Sequence, residues 1–208
     1  MKNFDPKITQ LVSYPRCGSH WVRLILEQYL DKYCLPTSFF NKKDYWGYHL
    51  HDRVVGKGDE GLTGGFDKVV YLYRKPTDTI FSLLMYENID PFNLNNIEII
   101  SNEYYNHLNR WLYHNEDCHK IIFIKYDDIM NNHLVEFEKI ISFLGFEFDI
   151  HKLDRIYKEF SIKKSKEHIL DPKVINQGHF DGNYSKIKKE FYEKFDHTIN
   201  KKFENIWK

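Results

Sequence analysis

Apolar positions along this chain change period in a recurring order. Ile8-Thr9-Gln10-Leu11-Val12 is a short, β-branched apolar run that ends at a turn punctuated by Pro15 and Gly18, the pattern of a buried strand. Beyond Trp21, the residues Val22, Ile25, Leu26, Tyr29 and Leu30 keep the spacing of one helical face. The same succession returns at Lys68–Tyr73 ahead of a helix starting near Pro76, and at Ile121–Ile124 ahead of a helix from about Asn132 to Leu144. A helix with Tyr104, Leu108, Trp111 and Leu112 on one side fills the interval between those strands. Ile187, Phe191, Phe195, Ile199 and Phe203 recur every fourth residue, which predicts a further helix with one stripe on the core and its lysines in solvent. Repeated strand–helix alternation predicts an α/β fold, three-layered α/β/α with a central parallel sheet. Between Leu35 and Gly65 the periodicity dissolves, and only Tyr48-His49-Leu50-His51 reads as a short strand. Gly56, Gly58, Gly61, Gly64 and Gly65 lack a strand-to-helix frame and read as a surface loop.

A chain of 208 residues suits one domain, taken as 1–208. Lys+Arg and Asp+Glu number 30 each, so no global field draws the protein to nucleic acid or to an anionic membrane, and any anion site is local. Hydrophobic residues at 42% of the chain are enough to build a core, which excludes a disordered protein. Cys17, Cys34 and Cys118 form no CxxC pair, and their odd number suits a reducing compartment. The first ten residues lack the apolar centre of a secretory leader, and no apolar run reaches membrane-spanning length. The expectation is a soluble, cytoplasmic protein without a membrane span. Its oligomeric state is not specified by the sequence.

The first candidate for chemistry is Tyr14-Pro15-Arg16-Cys17-Gly18-Ser19-His20-Trp21, set between a strand and a helix. A helix start offers backbone N–H groups and the positive end of a dipole. Gly18 allows close backbone approach, Arg16 adds a forked cation, and Ser19 and His20 add donors. The stretch is also consistent with a plain β-to-α turn capped by Ser19, with Arg16 in solvent. This loop resembles the signature of the sulfotransferases that use 3′-phosphoadenosine 5′-phosphosulfate (PAPS), usually Tyr-Pro-Lys-Ser-Gly-Thr-Thr-Trp. Arg16 stands at the lysine, Cys17 at the serine, Ser19 and His20 at the threonines, while Pro15, Gly18 and Trp21 match. The resemblance implies a P-loop nucleotide-binding-like sheet and a 5′-phosphosulfate held by Arg16, Cys17, Gly18, Ser19, His20 and Trp21, with Arg16 at the transferring and leaving oxygens.

A second segment, Tyr73-Arg74-Lys75-Pro76-Thr77-Asp78-Thr79-Ile80-Phe81-Ser82, is similar to the family's element in which a strand-end Arg and a helical Ser grip the 3′-phosphate. Arg74 and Ser82 have its spacing. Without the first motif, Arg74 reads equally well as a strand-end ion-pair partner of Asp78. A third match, Lys125-Tyr126-Asp127-Asp128-Ile129, implies that Tyr126 contacts the adenine, with Trp21 as a neighbouring ring. Phe160-Ser161-Ile162-Lys163 has Ile162 where the family commonly has an aromatic. Where the family has Arg-Lys-Gly before Gly-Asp-Trp, this chain has Gln177-Gly178 before Gly182-Asn183-Tyr184. Lys163, Lys164 and Lys166 are candidates to replace those cations.

Sulfuryl transfer to a hydroxyl or amine needs a base for the acceptor proton, cations for the leaving phosphate, and in-line positioning. Histidine titrates near neutrality. His49-Leu50 and His51-Asp52 each resemble the family's base-bearing strand, and both His49 and His51 stay candidates, with Asp52 placed to orient His51. His49 with His51, and His114 with Cys118 and His119, have spacings that also occur in metal sites, yet neither group has a full ligand set, and no metal is expected. The acceptor class is open among small molecules, carbohydrates and lipids. A rival reading is a nucleotide kinase-like P-loop phosphotransferase, which the lack of Gly-Lys-Ser/Thr disfavours. Another is a non-catalytic nucleotide-binding relative.

Overall fold

The computed structural model describes residues 9–35, 44–51, 68–113, 121–160 and 182–207. Five parallel strands form one sheet: β1 (Thr9–Ser13), β2 (Tyr33–Leu35), β3 (Tyr45–His51), β4 (Val69–Tyr73) and β5 (Ile121–Lys125), in the order β2-β3-β1-β4-β5. β1 therefore lies at the centre, hydrogen-bonded to β3 on one side and β4 on the other. Parallel strands need long crossovers, and helices supply them. These are α1 (Ser19–Leu30), α2 (Pro76–Tyr86), α3 (Leu94–Tyr113), α4 (Tyr126–Asn131), α5 (His133–Leu144), α6 (Ile150–Glu159) and α7 (Gly182–Phe203).

The two-residue alternation of the strands divides the core into two layers. Val12, Val69, Tyr71 and Tyr73 pack against Ile80 and Phe81 of α2, Tyr104 and Trp111 of α3, and Phe191 and Phe203 of α7. Leu11, Val70, Leu72 and Ile124 face the opposite way, against Val22 and Ile25 of α1, Phe137 and Ile140 of α5, and Leu153 and Ile156 of α6. Helices thus cover both faces of a parallel sheet, as the alternation predicts, and the four-residue stripe of α7 lies on the core.

Several elements depart from the expectation. β2 is only three residues long and pairs with β3 across a register shift at Tyr33/Cys34, which leaves no alternation to read. α6 begins at Asp149, whose carboxylate accepts from the His151 and Lys152 N–H groups and so caps the helix. β3 also begins three residues earlier than expected, at Tyr45. On α7, Lys188 is not merely solvated, since its Nζ lies 2.7 Å from Asp78 Oδ1 of α2. The glycine-rich stretch 56–65, His114, Cys118 and His119, and Lys163, Lys164, Lys166 and Gln177-Gly178 lie outside the described residues. Among the described residues no helix is long and apolar enough to cross a membrane.

Candidate functional site

In a parallel sheet all carboxyl ends share one edge, and ligands gather where adjacent strands diverge to different connections. β1 and β4 are such neighbours here. The first motif follows β1. Tyr14 is fully buried and its hydroxyl donates to Glu103 Oε2 at 3.0 Å, anchoring the loop to α3. Arg16 (φ 69°) and Gly18 (φ 93°) both take the left-handed conformation, so the chain doubles back sharply into α1. Glycine bears this without cost, whereas at Arg16 it costs about 1–2 kcal/mol. The Trp21 and Val22 N–H groups bond to the Gly18 carbonyl at 3.1 and 3.2 Å, so the helix begins directly behind the loop. Gly18 is also required by space. A Cβ there would lie 2.3 Å from Cδ2 and Cε2 of Tyr126, whose ring is seated against the glycine. Trp21, with its Nε1 donating to the Phe160 carbonyl at 2.9 Å, backs Tyr126 edge-on at 6.0 Å.

The second motif leaves β4 beside this loop, and the two are joined by direct contacts. Arg74 Nη1 donates to the Arg16 carbonyl at 3.3 Å, and Arg16 Nε donates to Ser82 Oγ at 3.2 Å, two turns into α2. The Arg74 guanidinium lies 4.8 Å over the Tyr126 ring, and that of Arg16 lies 4.6 Å over Tyr86. Arg74 Nη2 also stands 3.7 Å from Asp78 Oδ1, so the ion pair open from the sequence is formed too. The Tyr104 hydroxyl ties the motifs from beneath. It donates to the Arg74 carbonyl at 2.6 Å and accepts from the Arg74 N–H at 3.1 Å and the Cys17 thiol at 3.6 Å.

Burial works against the charge of Arg16, and neighbouring Arg74 adds to this, so its pKa falls below the usual guanidinium value while remaining a cation's. Arg74 is equally disfavoured by burial, but the Asp78 carboxylate outweighs that and raises its pKa. Asp78 is itself pushed up by burial, yet Arg74 and Lys188 hold it below its usual value. Burial raises the Cys17 thiol to about 11, which leaves it neutral and unsuited to nucleophilic attack.

His49 lies on β3 in register with Leu11 and is buried. Its Nδ1 is 3.1 Å from Arg23 Nη1. A guanidinium can only donate, so Nδ1 is the acceptor and the proton of the neutral ring sits on Nε2. Arg23 is set in turn by the Cys34 carbonyl at 3.3 Å and by Glu27 Oε1 at 3.7 Å, and the same Glu27 oxygen takes the Cys34 N–H at 3.1 Å. The His20 ring meets His49 edge-on at 5.5 Å. His51 ends β3 in register with Ser13, at the sheet edge from which the first loop departs.

The structure thus gathers Arg16, Cys17, Gly18, Arg74, Ser82 and Tyr126 around the β1/β4 junction, with Ser19 and His20 in the first turn of α1 and His49 beside His20. Tyr104, the Asp78–Lys188 pair and the Arg23–Glu27 support of His49 escaped the sequence. Only Arg23 and Glu27 carried a signal, their four-residue helical spacing. Among the described residues no group of three His, Cys, Asp or Glu side chains is placed to hold a metal ion.

The sulfotransferase domain family matches residues 66–208. Sulfotransferase 1A1 of Rattus norvegicus is 28% identical over 115 residues, 50% of this chain and 39% of its own length. Sulfotransferase 6B1 of Mus musculus is 24% identical over 178 residues, 70% of this chain and 57% of its own. The chain spans less than two thirds of the length of either relative. Among solved structures, mouse sulfotransferase SULT7A1 complexed with PAP superposes with a TM-score of 0.67 at 20% identity, covering 96% of this chain and 84% of that one. Retinol dehydratase in a complex with retinol and PAP gives a TM-score of 0.63 at 12% identity, covering 97% and 81%. At these identities the likeness is one of fold.

Proposed function

The chain belongs to the sulfotransferase domain family, and on that premise we propose that it moves a sulfuryl group from PAPS to a hydroxyl or amine acceptor by in-line displacement. The observation that carries this reading is the junction of the two motifs, Arg16 Nε on Ser82 Oγ at 3.2 Å and Arg74 Nη1 on the Arg16 carbonyl at 3.3 Å. Two sequence signals 58 residues apart converge on one cationic cradle. The cradle suits a phosphate, because the buried Arg74 Nε has no hydrogen-bond partner among the described residues.

Arg74 and Ser82 hold the 3′-phosphate in this reading, Tyr126 packs on the adenine with Trp21 behind it, and the loop Cys17–His20 receives the 5′ end. PAPS supplies an activated S–O bond. Arg16, the backbone N–H groups at the start of α1, Ser19 and His20 meet the charge developing on the departing oxygen, so the reading needs no metal ion. The acceptor hydroxyl gives its proton to a histidine as its oxygen bonds to sulfur, and 3′-phosphoadenosine 5′-phosphate (PAP) departs. The Arg23–His49 contact argues against His49, whose Nδ1 is occupied by a guanidinium and whose Nε2 already carries the proton. His51, two residues further along β3, takes the base role. The acceptor is a small molecule, carbohydrate or lipid. The buried free thiols of Cys17 and Cys34 suit a cytoplasmic setting.

The test combines binding and turnover. PAP is expected to raise the melting temperature well above the effect of ATP·Mg²⁺; at about a hundred times its Kd a ligand adds roughly 2.7 kcal/mol. His51→Ala is expected to lower transfer of labelled sulfate by roughly 10²–10⁴ with PAP affinity intact, and the wild-type rate to fall on an acidic limb near the histidine pKa. Equal stabilisation by both nucleotides, or full turnover in the His51 variant, refutes the reading.

A further inference from the structure

Asp78 sits one turn before Ser82 on the same face of α2, which puts a carboxylate beside the place read above as the 3′-phosphate site. An anion there repels a phosphate and competes with it for Arg74. We infer that Lys188 of α7 is a positioning residue for this site: by engaging the Asp78 carboxylate it leaves the Arg74 guanidinium open to the nucleotide phosphate. The inference rests on the PAPS reading and on its assignment of the 3′-phosphate to Arg74 and Ser82.

The distances decide which cation holds the carboxylate. Asp78 Oδ1 lies 2.7 Å from Lys188 Nζ, a charge-assisted hydrogen bond, and 3.7 Å from Arg74 Nη2, which is attraction without a hydrogen bond. Tyr192, one helical turn beyond Lys188, hydrogen-bonds the same carboxylate. Two side chains of α7 thus take up Asp78. Arg74 meanwhile gives Nη1 to the Arg16 carbonyl at 3.3 Å, rests over the Tyr126 ring at 4.8 Å and keeps its buried Nε without a hydrogen-bond partner among the described residues. An arginine paired with Asp78 in the two-pronged manner would direct its donors into the carboxylate instead.

α7 is itself held on α2 by further contacts. Lys75 Nζ lies 3.1 Å from Asp196 Oδ1, and Thr77 Oγ1 donates to the same oxygen at 2.6 Å. The ring of Phe81 on α2 meets those of Tyr184 and Phe191 on α7 at 5.2 and 5.0 Å. Lys188 is therefore presented by a docked helix, although its side chain stays one-third exposed. Without its ammonium, Arg74 is the cation left against Asp78 among the described residues, and the carboxylate and the phosphate then draw on the same guanidinium.

The experiment is a double-mutant cycle on the full chain, read by calorimetric titration with PAP and with adenosine 5′-phosphosulfate, which has the 5′ groups of the donor and no 3′-phosphate. Lys188→Met keeps the stem and removes the charge. It is expected to weaken PAP binding about five- to thirtyfold and to change adenosine 5′-phosphosulfate binding less than about twofold. In an Asp78→Asn background the same change should alter PAP affinity less than about twofold, because no carboxylate is left to recapture Arg74. Unchanged PAP affinity in Lys188→Met, equal losses for the two ligands, or the same PAP loss with and without Asp78 each overturn the inference and leave the PAPS reading intact. A wild-type chain that binds the two ligands alike overturns the 3′-phosphate assignment, and the inference with it.

Discussion

Replacing Tyr104 by Phe removes one oxygen and almost no volume, so its effect isolates the hydroxyl beneath the loops that follow β1 and β4. The ring is fully buried and packs against Tyr14 at 4.8 Å and Phe203 at 5.6 Å, contacts that phenylalanine keeps. What disappears is the bond to the Arg74 carbonyl at 2.6 Å, the bond from the Arg74 N–H at 3.1 Å and the weak thiol contact from Cys17 at 3.6 Å. The net value of a hydrogen bond is about 0.5–1.5 kcal/mol, but a buried N–H left without a partner costs about 1–3 kcal/mol. With the thiol contact taken as small, the loss is about 2–3 kcal/mol. In a domain of this size each kcal/mol moves Tm by roughly 2–4 °C, so a fall of about 4–12 °C is expected. Urea unfolding should show a lower midpoint with the same slope, because the surface exposed on unfolding is unchanged. The hydroxyl also fixes the strand end that carries Arg74, so PAP affinity should drop along with stability, while adenosine 5′-phosphosulfate affinity holds. A destabilisation below about 0.5 kcal/mol refutes the reasoning, for it means that these groups find other partners at no cost.

Gly18→Ala should cost more than Gly145→Ala although the two glycines share nearly the same φ, 93° and 90°, because a Cβ at Gly18 meets the Tyr126 ring at 2.3 Å while one at Gly145 has only Lys68 Nζ at 4.0 Å. Each pays about 1–2 kcal/mol for the left-handed backbone; the excess at Gly18, together with loss of PAP affinity as Tyr126 is displaced, is read by melting and titration, and equal effects contradict the contact. Asp78 titrates below its ordinary 3.8 because Arg74 and Lys188 prevail over burial. A depressed carboxylate stabilises fully above its unfolded value and loses this as pH falls through the lower folded value. The stability gap between wild type and Asp78→Asn should therefore be flat above about pH 5 and close on acidification below about pH 4, and a gap that instead widens in acid contradicts the pairing.

The strand–loop–helix units were legible because a change of hydrophobic period from two to nearly four marks them, and Gly18 and Pro76 punctuate them. Tyr33–Leu35 has no such mark, being shorter than one alternation and dependent on its neighbour β3 for its geometry. Helix α6 had a local signal in the Asp149 cap, but its polar residues obscured the stripe of Leu153 and Ile156. At the site, Arg16, Arg74, Ser82 and Tyr126 could be picked out because each belongs to a contiguous motif. Tyr104 could not, since it sits 30 residues from Arg74 and 87 from Cys17, and nothing local separates it from an ordinary core aromatic. Lys188 looked like one more solvent-facing lysine of α7 until the packing of that helix on α2 placed Asp78 beside it. Partners brought together by tertiary packing leave no trace in spacing.

The central place of β1 has a consequence for how the protein is made. The strand precedes both of its hydrogen-bonding neighbours in the chain, with β3 beginning at Tyr45 and β4 at Val69. At a synthesis rate of about 5–20 residues per second, the ribosome needs roughly 3–11 s between Ser13 and the first residue of β4. Both edges of this apolar strand are unpaired until β3 is made, and the edge that β4 covers stays unpaired to the end of the interval, the state most exposed to wrong pairing. The arginines of the two loops cannot meet before β4 docks on β1, so nucleotide cannot stabilise the nascent chain during this wait. The expected outcome of this strand order is chaperone crosslinking to the Thr9–Ser13 segment on ribosomes stalled before β4, lost once β4 has cleared the exit tunnel.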